Sequence, residues 1–334
     1  MTETLVSAVR ARLTIDVDSM NPLVAARHAA EGRFQDMTSN QAIAYGESTR
    51  SEQATVLADA IKIARSTLGD VVEEDALVDQ VVDVFTVLLA KNVIPHITGR
   101  VHAQTAPETA FNTEATIAHA KKLVALFEEH GIPKERVSIK IPATGPSILA
   151  CAYLEKIGIR TLATCLFSVP QALAAHQAGC LYVAPYFNEL RVHFEPNLWK
   201  KYDDTAREHP MASVIHDIVA TYKSIGAKTL VMPASIVTGE EVVALASLQP
   251  DHLTLSGSVL DLLAALPNNP LPEPLSLPAA SSLTTTDYLA SDAQALAQAI
   301  ESDAETNRKL ADALLIFGDM EEKLRALIRT QLHV

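Results

Sequence analysis

The sequence has 334 residues, 48% hydrophobic, 20% charged and only 5% aromatic, enough for one large barrel or two ordinary domains with a core of Ala, Leu, Val and Ile. Its net charge of −13 argues against a nucleic-acid partner, which needs concentrated cations. The opening MTETLVSAVRARL lacks the apolar core of a signal peptide, and no run approaches the ~18 apolar residues of a membrane span, so a cytoplasmic protein with no membrane partner is expected.

In chain order, short strand-like runs alternate with longer helical patterns. Strands are predicted near 12–19 (RLTIDVDS), 32–39 (GRFQDMTS), 99–104 (GRVHAQ), 136–143 (RVSIKIPA), 160–167 (RTLATCLF), 180–186 (CLYVAPY), 228–234 (KTLVMPA) and 252–258 (HLTLSGS). The long gap over 41–93 holds at least two helices. The 113–131 segment has an apolar stripe at helical spacing and stops at Gly131; two later helices stop at Gly158 and Gly179. Eight strand–helix units predict a parallel sheet closed as a (β/α)8 TIM barrel over about 12–264. A Pro-rich connector follows at about 267–283. C-terminal helices over about 285–332, strongest at 305–332, read as an extension packed on the barrel, so residues 1–334 form a single domain.

In such barrels the working residues gather at the C-terminal strand ends. There the sequence offers Asp16, Asp18, Thr38, Asn40, His102, Gln104, Lys140, Thr144, Thr164, Ser168, Tyr186 and Ser235. Lys140 differs in kind. Its strand puts Val137, Ile139 and Ile141 on one face and Ser138, Lys140 and Pro142 on the other. Desolvation favours the neutral amine, and a neutral amine attacks carbonyl carbon to give a Schiff base. The competing reading is a structural ion pair with Asp16 or Asp18. Cys151, Cys165 and Cys180 have no metal-ligand spacing and read as reduced core thiols. The eleven histidines are scattered without a metal-binding pair, so no metal is expected, and Schiff-base chemistry on a lysine calls for no cofactor.

The segments IKIPAT, LEKIGIRTLATCLFS and AGCLYVAPY, with DVDSM at the first strand, DMTSNQA at the second and FNTEATIAHAKKLVALFEEHGI before the lysine strand, resemble the transaldolase family of class I Schiff-base aldolases over most of the chain. The resemblance implies that Lys140 forms the Schiff base and that Asp18, with Asp16 as the alternative, is the first-strand carboxylate. It places Thr38, Asn40 and Ser235 on substrate and Thr164 on the catalytic water. Three positions depart from transaldolase proper: Gln104 replaces a glutamate, Leu162 an asparagine and Tyr186 a phenylalanine. Together they resemble the fructose-6-phosphate aldolase branch. A glutamine orients a water but cannot carry its proton.

The family's phosphate-binding cations are also replaced, by Glu189 and Val237, which disfavours a dianionic phosphate. Arg191 is the candidate substitute. The expected activity is transfer or release of a three-carbon dihydroxyacetone unit between ketose and aldose sugars, including unphosphorylated ones. The alternatives are an ordinary pentose-phosphate-pathway transaldolase acting on sugar phosphates, and a barrel that has lost catalysis and serves as a binding protein. The expected partner is a small sugar or sugar phosphate, and the resemblance admits a homodimer.

Overall fold

The computed structural model describes residues 4–29, 32–69, 72–275 and 285–333. Eight parallel strands follow one another round a ring: β1 (Thr14–Asp18), β2 (Met37–Thr38), β3 (Val101–Gln104), β4 (Val137–Pro142), β5 (Arg160–Leu166), β6 (Tyr182–Pro185), β7 (Leu230–Val231) and β8 (His252–Leu255). Ladders join β1 to β8 on one side and run from β1 through to β7 on the other. Between β7 and β8 the ring is bridged by Asp251, whose N–H donates to Val231 O at 3.0 Å and whose Oδ2 accepts from Val231 N–H at 2.8 Å. Thr254 N–H adds a bond to Pro233 O at 3.3 Å. This is the expected (β/α)8 barrel.

The helices are α1 (Leu5–Arg10), α2 (Pro22–Arg27), α3 (Gln41–Ser48), α4 (Ala54–Leu68), α5 (Glu74–Val93), α6 (Thr113–Glu129), α7 (Gly145–Lys156), α8 (Val169–Gln177), α9 (Thr205–Glu208), α10 (Pro210–Ile225), α11 (Gly239–Leu248), α12 (Gly257–Ala265), α13 (Ala290–Ser302) and α14 (Ala304–Leu332). The gap between the second and third strands thus holds three helices, α3 to α5. Gly131, Gly158 and Gly179 follow α6, α7 and α8 with φ of +83°, +80° and +81°, the left-handed stop that glycine makes without a Cβ penalty. Part of the Pro-rich connector, 276–284, lies outside the described residues. Among the described residues no helix is long and apolar enough to cross a membrane.

Two strands are shorter than their sequence patterns. In the 32–39 run only Met37 and Thr38 form a ladder, because the Asp36 N–H is taken by Asp16 Oδ1 at 2.8 Å. In the 228–234 run Pro233 has no N–H to continue the pairing, although Met232 and Ala234 still donate to Val183 O and Pro185 O.

All six residues of β4 are buried. Val137, Ile139 and Ile141 join the core shared with the helices. Burying each of these aliphatic side chains is worth about 1.5–3 kcal/mol. Ser138 and Lys140 pair in register with His102 and Gln104 of β3, and these side chains line the polar interior of the barrel. α14 crosses the C-terminal face of the ring, contacting α3, α5, β5 and the 3-10 turn Leu190–His193.

Candidate active site

The barrel interior is polar at two depths. In the lower layer Asp16 accepts from the Asp36 N–H and pairs with His252 Nδ1 at 2.8 Å. Asp36 pairs with His102 Nε2 at 2.9 Å and accepts from the Arg100 N–H at 2.7 Å. Burial alone would raise the Asp36 carboxyl, but the bonds from His102 and Arg100 outweigh it and hold Asp36 at about 2. Burial pulls His252 down, while its Asp16 partner more than compensates and leaves its pKa raised. Gly99 seals this layer: an added Cβ would meet Asp36 Oδ1 at 1.9 Å. His102 Nδ1 and Ser138 Oγ are buried there without a hydrogen-bond partner.

The upper layer surrounds Lys140, only 2% exposed. Its Nζ donates one long bond, 3.3 Å, to Ser39 O and lies 5.9 Å from the centre of the Tyr186 ring. Burial lowers its pKa below the ordinary lysine value, and the charge of Asp18 recovers part of that shift. Asp18, two residues beyond Asp16 on the same face, accepts from Thr38 Oγ1 at 2.6 Å. Thr38 Oγ1 in turn lies 2.5 Å from Thr254 Oγ1. Asp18 is therefore the first-strand carboxylate that shares Lys140's layer, whereas Asp16 is committed below.

Gln104 is the register neighbour of Lys140. Its Nε2 donates to Gln41 Oε1 at 2.8 Å, and its Oε1 is buried without a partner. It opens with Ser39 and Asn40 onto a cavity of about 370 Å³ under α14. Thr164 Oγ1 donates to the Tyr186 hydroxyl at 3.1 Å, and burial pushes the Tyr186 pKa well above the phenol value. A phenol so shifted keeps its proton and acts as a donor. Asn40 caps α3, its Oδ1 accepting from the Ile43 N–H at 3.0 Å. Ser235 sits beyond β7 with φ +59°, and its Oγ lies 2.9 Å from His193 Nε2.

Arg191 departs from its expected place. Its Nε donates to both Asp312 oxygens of α14 at 3.1 Å, and its Nη1 donates to Glu195 Oε1 at 3.1 Å. No described bond ties its guanidinium to the Lys140 cluster. Glu189, at the position of a family arginine, instead receives Arg308 at 2.8 Å.

Two residues at the site escaped the sequence reading. Cys165, expected as a plain core thiol, sits at a β-bulge where the β5–β6 register shifts between Ala163 and Leu166, with φ +51°. The bulge turns its thiol onto the Tyr186 and Thr164 hydroxyls, and burial pushes its pKa up to about 12. No sequence signal marks a bulge here. The other is His193, in the 3-10 turn after β6. Its sole cue was its place in the loop following a strand end.

A parallel eight-stranded barrel with one buried, sparingly bonded amine among hydroxyls, an amide and a carboxylate at its C-terminal face has the layout of a class I aldolase-type enzyme. The family model described as transaldolase/fructose-6-phosphate aldolase matches residues 14–328. The chain belongs to that family, whose members act on sugar phosphates, and it is an enzyme of the class I aldolase/transferase type. It is 34% identical over 230 residues to a transaldolase of Methylobacillus flagellatus, covering 69% of this chain and 71% of that one. A transaldolase of Methylomonas aminofaciens is 32% identical over 226 residues, covering 68% and 69%. A transaldolase of a Marinomonas species is 30% identical over 302 residues, covering 89% and 91%. Transaldolase-type chemistry is thereby assigned.

Proposed function

We propose that this enzyme moves a dihydroxyacetone unit through a Schiff base on Lys140, and that its substrates include unphosphorylated sugars. The observation that carries the reading is the state of Lys140: a buried amine, its pKa lowered, held by one weak carbonyl contact rather than by a carboxylate partner. Its nitrogen attacks the ketone carbon, the carbinolamine loses water, and the iminium draws the electrons of the adjacent C–C bond as the aldose leaves. Asp18 takes the proton of the hydroxyl whose oxygen becomes the aldehyde. Gln104, Thr164 and Tyr186 orient the water that forms in the first half and hydrolyses the imine in the second. Thr38, Asn40 and Ser235 contact substrate hydroxyls. The enamine then adds to an acceptor aldehyde in transfer, or is protonated and hydrolysed in cleavage. The Gln104–Tyr186 pair favours competence in the second route.

The engagement of Arg191 and Glu189 with α14 supports acceptance of uncharged tails, since neither leaves a cation for a phosphate dianion. The reading in which Arg191 binds a sugar phosphate has this pairing against it.

The test is borohydride reduction after incubation with dihydroxyacetone, fructose or fructose 6-phosphate, read by peptide mass spectrometry. A reduced adduct on the peptide holding Lys140 is expected with all three. Absence of any adduct from folded protein would overturn the Schiff-base reading, and adducts with the phosphate ester alone would overturn the substrate class.

A further inference from the structure

We infer that His193 is a specificity-determining residue that, through its pairing with Ser235, recognises a hydroxyl on the substrate's tail. The inference rests on the Lys140 reading and adds a residue that the transaldolase-type activity does not itself assign. His193 ends the 3-10 turn Leu190–His193, and its neighbour Val192 is buried, which pins the turn to the barrel rim. Its Nε2 lies 2.9 Å from Ser235 Oγ. Nδ1, the ring's other polar atom, makes no hydrogen bond among the described residues. The residue is exposed at the rim, while its ring is partly enclosed beside Ser235; that enclosure lowers its pKa, and the charges of Asp18 and Glu241 recover part of the shift. His193 therefore lies at the rim within electrostatic reach of the chemistry.

The charged groups nearby explain why this ring matters. Arg191 is bound by Asp312 and Glu195, and Arg308 by Glu189 and Glu305. Lys309 stands 6.0 Å from the Phe167 ring with Glu305 at 3.9 Å. A rim without a free guanidinium has little to offer a phosphate. An imidazole paired to a serine hydroxyl offers a neutral donor or acceptor, which matches an alcohol. Sites built to bond a hydroxyl discriminate by leaving their own polar groups unpaired when it is missing. The substrate class that follows is a polyhydroxylated chain with a free hydroxyl beyond the three transferred carbons.

The experiment compares His193→Ala, His193→Gln and His193→Arg with the unmodified enzyme, using dihydroxyacetone, fructose and fructose 6-phosphate. The rate of adduct trapping on Lys140 is measured against the concentration of each sugar, and steady-state cleavage is followed for the two fructose substrates. Dihydroxyacetone has no tail, so it reports the reacting end alone. In His193→Ala the ratio of the adduct-trapping rate with subsaturating fructose to that with subsaturating dihydroxyacetone falls about tenfold, the size of one lost hydrogen bond, and the loss appears as a higher half-saturating fructose concentration. His193→Gln, which keeps a donor and an acceptor, recovers part of it. His193→Arg shifts the preference toward fructose 6-phosphate.

An unchanged ratio in His193→Ala would overturn the inference, as would an equal loss with both substrates, which marks a merely structural role. If the unmodified enzyme forms no adduct even with dihydroxyacetone, the Lys140 reading fails and takes the inference with it. An adduct with an unchanged ratio sinks the inference alone.

Discussion

The two depths of the barrel interior use the same kinds of residue for opposite ends. Asp16 and Asp18 lie two positions apart on one face of one strand. The lower carboxylate has an imidazole and a backbone N–H within 2.8 Å, and Asp36 beside it is likewise closed by His102 and Arg100. One layer up, Lys140 has a single 3.3 Å carbonyl contact and Gln104 an orphaned carbonyl oxygen. The paired carboxylates of the lower layer brace the ring, while the upper layer leaves the Lys140 amine without a carboxylate bond. Burial is common to both layers; the bonding of their charged groups is what differs between them.

That contrast can be broken in order of expected effect. Lys140→Met should abolish adduct formation and lower turnover by at least about 10³-fold. It should not lower the melting temperature, since an apolar chain of similar length replaces a poorly solvated amine. A melting temperature that fell with full retention of activity would erase the distinction between layers.

Asp36→Asn reverses the pattern: about 3 kcal/mol of stability is lost, the cost of breaking one side of a buried pair, with comparatively little change in kcat. Denaturant titration measures it. The pH dependence gives the sign. Asp36 is held at about 2 in the folded chain, below the unfolded carboxyl value of about 3.9. Its contribution is complete above the unfolded pKa and drains away as pH falls through about 2. The gap between wild type and variant should therefore narrow across that interval.

Asp18→Asn sharpens the comparison at the upper layer. Without the proton transfer proposed for Asp18, turnover should fall about 10²-fold. Asp18 also holds the Lys140 pKa up against burial, so removing its charge lowers that pKa further. The amine is then neutral at lower pH, and the rising limb of the pH–trapping profile shifts toward acid. A shift toward alkali would show that another group sets the charge of Lys140.

Much of this architecture was legible in the chain. Strand–helix alternation marked all eight strands, and the helix-ending glycines punctuated α6, α7 and α8. Lys140 stood out because a cation interrupted a dry alternating segment. The choice between Asp16 and Asp18 was not legible, because alternation gives the face but not the depth. Depth comes from the stagger that sets Asp16 beside Thr254 and Asp18 beside Thr38. The pairing of Arg191 was not legible for a related reason: its partner Asp312 lies 121 residues away, on a helix whose course over the barrel no local pattern encodes. His193 and Ser235, 42 residues apart, meet only through tertiary structure. Cys165 was hidden by a bulge that breaks the two-residue rhythm on which strand reading depends.

The course of α14 has a consequence for biosynthesis. The residues that lay a helix over the barrel's open face leave the ribosome well after Lys140 has been made. A nascent barrel that closes before that helix docks would show a reactive amine to every passing carbonyl compound. On this view Arg308 and Asp312, which dock α14 on Glu189 and Arg191, act as a latch over the proposed nucleophile.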